Sequence, residues 1–318
     1  MSNLNFKPNY AYDDYWVFAH ARQEAFLSRL SPTKPQDSII SKYKFTNCYR
    51  VLDRTSQYLI KNVIYDTDHS AEDTFFRIIL FKLFNRIETW EQLEKQLGTI
   101  SVEDFSIKNY CDAIAKIKLQ DVKIYSAAYI MPSGKAEYGH ASKHMNNLEM
   151  IQLMLNQEMH KSIWDRKNLS NIYQSLLTLP SVGKFLAYQY AIDLAYSNHC
   201  NADESQFVVA GPGAERGIKK IFPNAKKTEY EHIIKHMTEI QEQEFSRLNL
   251  PFSYLPNRNL QLIDCQNLFC ELDKFLRVKR PELGKPGSRI KQKYSQNKTP
   301  IDYVFPPKWN VPEFREKF

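Results

Sequence analysis

Glycine is scarce in this chain, and long hydrophobic runs are missing from it. Nine glycines occur among 318 residues, and no stretch alternates apolar with polar residues for long. Apolar residues instead recur with the period of a helix, so the sequence predicts a mainly α-helical protein. The missing apolar runs predict that no segment spans a membrane, and residues 1–12 contain no apolar stretch typical of a signal peptide.

Cysteines are few, and the common metal-binding and nucleotide-binding motifs are absent. Five cysteines, at positions 48, 111, 200, 265 and 270, form an odd and scattered set, so we expect reduced thiols and a cytoplasmic protein. His140/His144 and His232/His236 have chelating spacing, but H-E-x-x-H is absent and we expect no metal and no cofactor. G-x-x-x-x-G-K-[ST] is absent too, so we expect no kinase activity in this chain.

A short turn joins two helical stretches near the middle of the chain. A first helix ends near Leu177, the turn is Leu179-Pro180-Ser181-Val182-Gly183, and a second helix begins at Lys184. The exposed N–H groups at the start of this second helix suit a DNA phosphate. The pattern predicts a helix-hairpin-helix in which residues 180–184 bind the DNA backbone without reading sequence.

The formal net charge of +7 is concentrated late in the chain. A first basic group comprises Arg216, Lys219, Lys220, Lys226 and Lys227. A second, the basic arm, comprises Arg277, Lys279, Arg280, Lys285, Arg289, Lys291, Lys293 and Lys298, opposed by Glu282 alone. Solvated faces that aid solubility are the alternative, but the position after the hairpin favours phosphate contacts, and we expect Lys219, Lys220, Arg289 and Lys291 to bind DNA.

The turn and the acidic residues that follow it resemble helix-hairpin-helix DNA glycosylases. That family carries L-P-x-V-G and then a catalytic aspartate at a fixed distance; Asp203 falls at that distance, 20 residues after Gly183. The resemblance implies that Asp203, or its neighbour Glu204, stabilises positive charge on the deoxyribose. Phe185 stands where bifunctional members have a lysine, so the resemblance implies no lyase step. Such hairpins also occur as non-catalytic DNA-binding modules.

Longer segments resemble a second, more specific family. They are Tyr15-Trp16-Val17-Phe18 with Arg22-Gln23, residues 43–50 with Asp53-Arg54, residues 207–214, and residues 260–271. They are similar to the helical family that accompanies 5-hydroxymethyluracil DNA kinases, also called the alpha-glutamyl/putrescinyl thymine pyrophosphorylase clade. The resemblance, from about residue 12 to 280, implies a glycosylase-like fold. Its members occur in phages with hypermodified thymines, and some bacterial relatives are anti-phage glycosylases that remove glucosylated 5-hydroxymethylcytosine.

Several polar or flexible positions in these segments are candidates for a base or ligand pocket. They are Arg50, Arg54, Tyr49, Gln206, Gly211, Gly213, Gln266 and Asn267. All but Gln206 have a structural alternative: an ion pair for the arginines, core packing for the tyrosine, a tight turn for the glycines, and hydrogen bonds to buried backbone for Gln266 and Asn267.

Three functions remain open at this point. We favour a monofunctional DNA N-glycosylase, a hydrolase that flips a modified pyrimidine, best guessed as glucosylated 5-hydroxymethylcytosine, out of phage DNA and excises it in anti-phage defence. The first alternative is a transferase that replaces pyrophosphate on activated 5-hydroxymethyluracil with an amine. The second is a non-catalytic binder. The expected partner is double-stranded DNA carrying modified bases, with no obligatory protein partner and no membrane.

The expected architecture is a mainly α helix-hairpin-helix DNA-glycosylase-like bundle, with two lobes and a cleft between them. We expect a single helical unit over 1–280, with lobes over about 10–130 and 140–225 and C-terminal helices over 226–280, and then a basic, mostly irregular tail over 281–318. The periodicity predicts helices that include residues 13–30, 39–64 with a break near Thr46-Asn47, and 102–119 capped by Ser101.

Overall fold

Helices are the main secondary structure in the part of the chain that the structure describes. The computed structural model describes residues 6–31, 37–285, 287–290, 292–297 and 299–312. The predicted mainly α fold class is confirmed, because 57% of the structure is helix and these residues contain no strand. Among them, no helix is both long enough and apolar enough to cross a membrane.

The helices are short to medium in length. In chain order they are α1 (Tyr12–Leu27), α2 (Ser38–Lys42), α3 (Arg54–Tyr58), α4 (Ala71–Phe84), α5 (Ile87–Leu97), α6 (Ile107–Leu119), α7 (Lys135–Tyr138), α8 (Lys143–Asn156), α9 (Met159–Trp164), α10 (Leu169–Leu177), α11 (Lys184–Leu194), α12 (Pro212–Ile221), α13 (Tyr230–Glu239), α14 (Gln241–Arg247) and α15 (Leu262–Lys279). A π-helical turn, Leu59–Ile64, follows α3 directly.

The chain folds into two compact units. The described residues of Met1–Asp53, Ser205–Phe305 and Trp309–Phe318 belong to unit 1, and those of Arg54–Glu204 and Pro306–Lys308 belong to unit 2. Unit 1 thus contains α1, α2 and α12 to α15, and unit 2 contains α3 to α11. The predicted domain boundaries, glycosylase-like bundle and cleft stay predictions.

Unit 1 is built around α15. Leu268, Leu272 and Phe275 recur at helical spacing on this helix and are buried. Helix α12 packs closely on α15 because its glycines have no side chain. A Cβ atom at Gly217 would lie 2.0 Å from the carbonyl oxygen of Phe269, so only glycine allows this approach of the two backbones.

Unit 2 is built around α4, which is buried on all sides from Thr74 to Phe84. The Ser70 hydroxyl accepts a hydrogen bond from the Asp73 N–H at 3.0 Å and so caps the start of the helix, and Asn85 ends it in the left-handed region with φ of 48°. Helix α4 contacts α8, α9 and α11. Its complete burial places the cation Lys82 in the interior, where a charge needs a partner.

Candidate functional site

A helical hairpin in unit 2 presents a turn with both buried and exposed residues. Helices α10 and α11 pack against each other across residues 178–183. Val182 is buried, whereas Pro180, Gly183 and Lys184 are exposed. Ser181 reverses the chain with φ of 66°, a left-handed conformation that costs a non-glycine residue about 1 kcal/mol.

The start of α11 is suited to an anion. No side chain caps its first turn, which follows Gly183, so the leading N–H groups lack helical partners. An open pocket of about 490 Å³ adjoins the turn, lined by Ser181, Val182 and Gly183 and by residues 132–134, 136 and 137. Asn146 is buried and fixes the part of the pocket lining that begins with residues 132–134. Its Nδ2 donates to the carbonyl oxygens of Ser133 at 2.8 Å and His140 at 2.9 Å.

Asp203 and Glu204, the predicted catalytic residues, lie in the same unit. The Asp203 N–H donates to the Lys167 carbonyl at 3.4 Å, which places Asp203 beside the residues that precede α10. Asp203 is exposed and Glu204 is half-buried. A segment of the predicted tail contributes here, since Lys308 Nζ donates to the carbonyl oxygens of Ser197 at 2.9 Å and Cys200 at 2.6 Å.

A polar cluster in unit 1 joins two of the sequence motifs. Its centre is Asn47, whose N–H donates to Asp53 Oδ1 at 3.0 Å and whose Nδ2 donates to the Leu52 carbonyl at 2.9 Å. Arg22 of α1 donates to the Asn47 side chain and, through Nε, to the Thr46 carbonyl at 2.9 Å. We call Arg22, Thr46, Asn47, Asp53, Asn267 and Glu271 the Asp53 cluster.

Helix α15 supplies the other side of the Asp53 cluster. Asn267 Nδ2 donates to the Thr46 hydroxyl at 2.9 Å, and Glu271 Oε2 accepts from the Thr46 N–H at 3.2 Å. Asn267 was predicted for a pocket, and the structure gives it this bond between segments. The sequence motifs contained Arg22 and Glu271, but their spacing gave no sign that the two would meet the same loop.

The Asp53 carboxyl has an altered acidity. Burial raises its pKa to about 6, because removal of water disfavours the charged form. The hydrogen bond from the Asn47 N–H and the charge of Arg22 oppose this rise, and the carboxylate of Glu271 adds to it. A carboxyl with a pKa near neutrality can accept and release a proton under physiological conditions.

The other predicted pocket residues occupy varied places. Tyr49 is fully buried and donates through its hydroxyl to the Arg258 carbonyl at 2.8 Å, so it cannot stack on a base without opening the core. Arg50 is buried, and its N–H donates to Asp264 Oδ1 at 2.8 Å. Gly213 faces α15, where a Cβ would meet Cys270 Sγ at 2.1 Å, so its small size serves helix packing.

Four more predicted pocket positions complete that set. Arg54 is half-buried in unit 2 at the start of α3. Gln206 is exposed, Gly211 is buried in front of α12, and Gln266 is buried within α15. Among the residues that the structure describes, no group of three histidines, cysteines or carboxylates is placed to hold a metal ion.

The first basic group is partly neutralised inside unit 1. Lys220 Nζ lies 3.1 Å from Asp273 Oδ1, and Arg216 and Arg277 bind the same carboxylate at 3.1 and 2.6 Å. Although burial alone would raise the pKa of Asp273, the hydrogen bond from Arg277 and the charge of Lys220 hold it below its ordinary value. Three cations around one anion leave a positive surface, but Lys220 is less available to a phosphate than its sequence suggests.

The remaining predicted phosphate contacts are more accessible. Lys219 and Arg289 are exposed. The Arg289 carbonyl accepts from Arg277 at 3.4 Å, which ties the later part of the basic arm to its first residue at the end of α15. Lys291 lies outside the described residues.

Comparison with known proteins identifies the family. The model of the helical domain of 5-hmdU DNA kinases matches residues 9–285. A protein named 5-hmdU DNA kinase, from Bacillus phage SP10, is 24% identical over 322 residues, which cover 93% of this chain and 50% of that protein. The chain thus spans about half the length of the curated relative. No solved structure matches it.

These names overturn the favoured function. Both are names of kinases, so the prediction of a monofunctional DNA N-glycosylase, a hydrolase that excises glucosylated 5-hydroxymethylcytosine in anti-phage defence, is wrong. The exclusion of a kinase was also too broad, because a missing G-x-x-x-x-G-K-[ST] motif excludes only one way of binding a triphosphate. The resemblance to the helical family is confirmed, and the chain belongs to the family of the helical domain of 5-hmdU DNA kinases.

Proposed function

We propose that this chain binds double-stranded DNA and takes part in group transfer at the 5-substituent of 5-hydroxymethyluracil, leaving the bond between base and deoxyribose intact. The match of the kinase helical-domain model to residues 9–285 carries this proposal. The name of the phage relative supplies the base, and that relative is twice as long as the matched region, so the reaction of the whole relative is part of the proposal.

The hairpin of unit 2 supports DNA binding. Its exposed turn and the uncapped start of α11 offer N–H groups to a phosphate, and Lys184 adds a positive charge at the same place. Contacts of this kind fix the position of a duplex without reading its sequence. A modified base must still leave the stack before a side chain can reach its 5-substituent.

The Asp53 cluster supports the transfer step. In phosphoryl transfer, the oxygen of the 5-hydroxymethyl group attacks phosphorus while its proton moves to the Asp53 carboxylate, and the bond from phosphorus to its former oxygen breaks. In the predicted alternative, an amine attacks the methylene carbon, loses its proton to the same carboxylate, and expels pyrophosphate. Both reactions need a base near neutrality, and both keep the glycosidic bond.

The product identifies which transfer occurs. DNA containing 5-hydroxymethyluracil is incubated with the protein, ATP and Mg²⁺, and pyrophosphorylated DNA is incubated with the protein and an amine; both are then digested to nucleosides and analysed by mass spectrometry. We expect a modified nucleoside in one of the two reactions. Asp53→Asn should abolish it, whereas Glu24→Gln, which changes an exposed carboxylate on α1, should retain it. Binding without a product in either reaction would leave only the non-catalytic binder.

A further inference from the structure

One bulky apolar side chain in unit 2 projects into solvent beside the hairpin. Ile130 lies between α6 and α7, and 67% of its surface is exposed, whereas its neighbour Met131 is 1% exposed. Tyr129, on the other side, has φ of 53°, a left-handed conformation that is costly for a tyrosine. The backbone is therefore held in a strained conformation that exposes Ile130 between Tyr129 and the buried Met131.

The anchor on the N-terminal side of Ile130 is an aromatic stack. The ring of Tyr129 is parallel to that of Phe185, in the first turn of α11, with centroids 5.9 Å apart and 13° between the planes. Lys82 Nζ lies 3.8 Å from the centroid of the Tyr129 ring. The stack thus ties this residue both to the hairpin helix and to α4.

A buried ion pair holds that lysine in place. Lys82 Nζ lies 2.8 Å from Asp193 Oδ2, and both side chains are almost completely buried. Burying two charges is expensive, and a pair of apolar residues would hold α4 to α11 at lower cost. The lysine also contacts Tyr129 through its positive charge, an interaction that an apolar side chain cannot make.

The anchor on the C-terminal side is equally specific. The Tyr190 hydroxyl of α11 donates to Met131 Sδ at 2.6 Å, and the next residues, Pro132 to Gly134, line the same pocket as Ser181 to Gly183. Residues on both sides of Ile130 therefore contact the hairpin. Ile130 thus belongs to a loop whose following residues line the pocket at the hairpin turn.

We propose that Ile130 is an apolar wedge that enters the duplex and fills the space left when the target base is extruded. The inference rests on the proposed function, since it requires the hairpin to hold DNA. Apolar side chains inserted between base steps unstack them, and the hydrophobic surface of Ile130, costly to leave in water, becomes buried among the bases. Tyr129, Phe185, Lys82 and Asp193 act as positioning residues for the wedge.

Fluorescence of 2-aminopurine tests the wedge directly. The probe is placed next to a single 5-hydroxymethyluracil in a duplex, and it brightens when its neighbour leaves the stack. Binding of the unaltered protein should raise the fluorescence. Ile130→Ser should bind with similar affinity but give a rise about tenfold smaller, and Ile130→Leu should retain most of the rise. Leu119→Ser, the control, changes an apolar residue of unit 2 that is 87% exposed and should behave like the unaltered protein.

The outcomes separate the two proposals. If the unaltered protein does not bind the duplex at physiological salt, the proposed function itself fails. If it binds without any rise in fluorescence, or if Ile130→Ser gives the same rise as the unaltered protein, the wedge is wrong and DNA binding stands. Thermal unfolding of each variant confirms that it is folded, which is expected because both substituted side chains are exposed.

Discussion

Asp53 shows how one residue acquires a chemical role from its surroundings. Its carboxyl is partly buried, accepts a hydrogen bond from Asn47, and lies in the field of Arg22 and Glu271. Burial is the largest of these effects and raises the pKa to about 6. An ordinary surface aspartate would be a weaker base by about two pKa units, so the position, and not the residue type, makes it a candidate for proton transfer.

The raised pKa predicts a pH-dependent cost to stability. Because the folded protein holds the Asp53 proton more tightly than the unfolded chain does, the neutral carboxyl stabilises the fold, and this contribution is lost as the pH rises through about 6. Asp53→Asn keeps an acceptor for Asn47 and mimics the neutral form. We expect it to raise the free energy of unfolding at pH 7.5 by about 2 kcal/mol.

Urea unfolding between pH 4 and pH 7.5 measures that effect. The advantage of Asp53→Asn should shrink as the pH falls towards the ordinary value of 3.8, because the unaltered protein then becomes protonated as well. Glu24→Gln should show no such trend. An Asp53→Asn variant that is less stable than the unaltered protein at pH 7.5 would rule out the raised pKa.

The pair of Lys82 and Asp193 makes a second prediction about single residues. Lys82→Met leaves the buried Asp193 without its cation, and we expect a loss of about 3 to 5 kcal/mol in the free energy of unfolding. Adding Asp193→Leu removes the remaining charge and should restore most of the stability. The double variant should nevertheless remain poor at base extrusion, since Tyr129 has lost its cation. If the single and double variants lose equal amounts of unfolding free energy, the pairing of Lys82 with Asp193 is contradicted.

At the level of elements, the contact between α12 and α15 depends on the absence of a side chain. Gly217→Ala improves helix propensity by about 1 kcal/mol, but its Cβ would lie 2.0 Å from the Phe269 carbonyl oxygen. We expect the steric clash to outweigh the gain in helix propensity, with a net loss of about 1 to 3 kcal/mol in the free energy of unfolding. Gly183→Ala is the control, because its Cβ would meet nothing within 4 Å. Chemical denaturation measures the stability of both variants, and a Gly217→Ala variant as stable as Gly183→Ala would contradict the clash.

The hairpin makes a prediction about salt. If Lys184 neutralises one phosphate, Lys184→Gln should weaken binding to any duplex and lower the slope of log affinity against log salt by about one. Lys161→Gln, which changes an exposed lysine of unit 2 paired with Glu158, should leave the slope unchanged. Affinities measured by fluorescence anisotropy at four salt concentrations suffice, and an unchanged slope for Lys184→Gln would remove this residue from the interface.

Elements with a continuous local pattern could be predicted from the sequence, and elements fixed by distant partners could not. The first helix was predicted over 13–30 and lies at Tyr12–Leu27. The predicted helical stretch over 39–64 is interrupted near Thr46-Asn47, as expected, but the break is longer than the pattern indicates: α2 ends at Lys42, and α3 begins only at Arg54. Within this break the Lys44 N–H donates to the Gln292 carbonyl at 3.1 Å, a partner that no local pattern reveals.

Helix starts depend on small differences between competing caps. Ser101 was predicted to cap a helix over 102–119, but its hydroxyl accepts from the Asp104 N–H at 3.3 Å in a short turn. The helix α6 begins at Ile107 after Ser106, which accepts from the Asn109 N–H at 3.4 Å. Both serines fit the capping pattern, and the sequence alone favoured the wrong one.

At the scale of the whole molecule, the family could be recognised from the sequence but the reaction could not. The hairpin and the spacing to Asp203 predict only a way of holding a DNA backbone, and a backbone-binding element of that kind serves many reactions. The Asp53 cluster combines residues from α1, the loop before α3 and α15, and its chemistry exists only after folding. The roles of Asp203 and Glu204 in breaking a glycosidic bond fall with the glycosylase, and the two residues stay predicted members of the site.

The mass of an intact DNA strand tests the central claim most directly. A duplex with a single 5-hydroxymethyluracil is incubated with the protein and ATP, and in parallel a pyrophosphorylated duplex is incubated with the protein and an amine. We predict that one strand gains the mass of a phosphoryl group or exchanges pyrophosphate for the amine, and that it stays resistant to alkali. A strand that instead becomes lighter by one base and breaks in alkali would contradict the account.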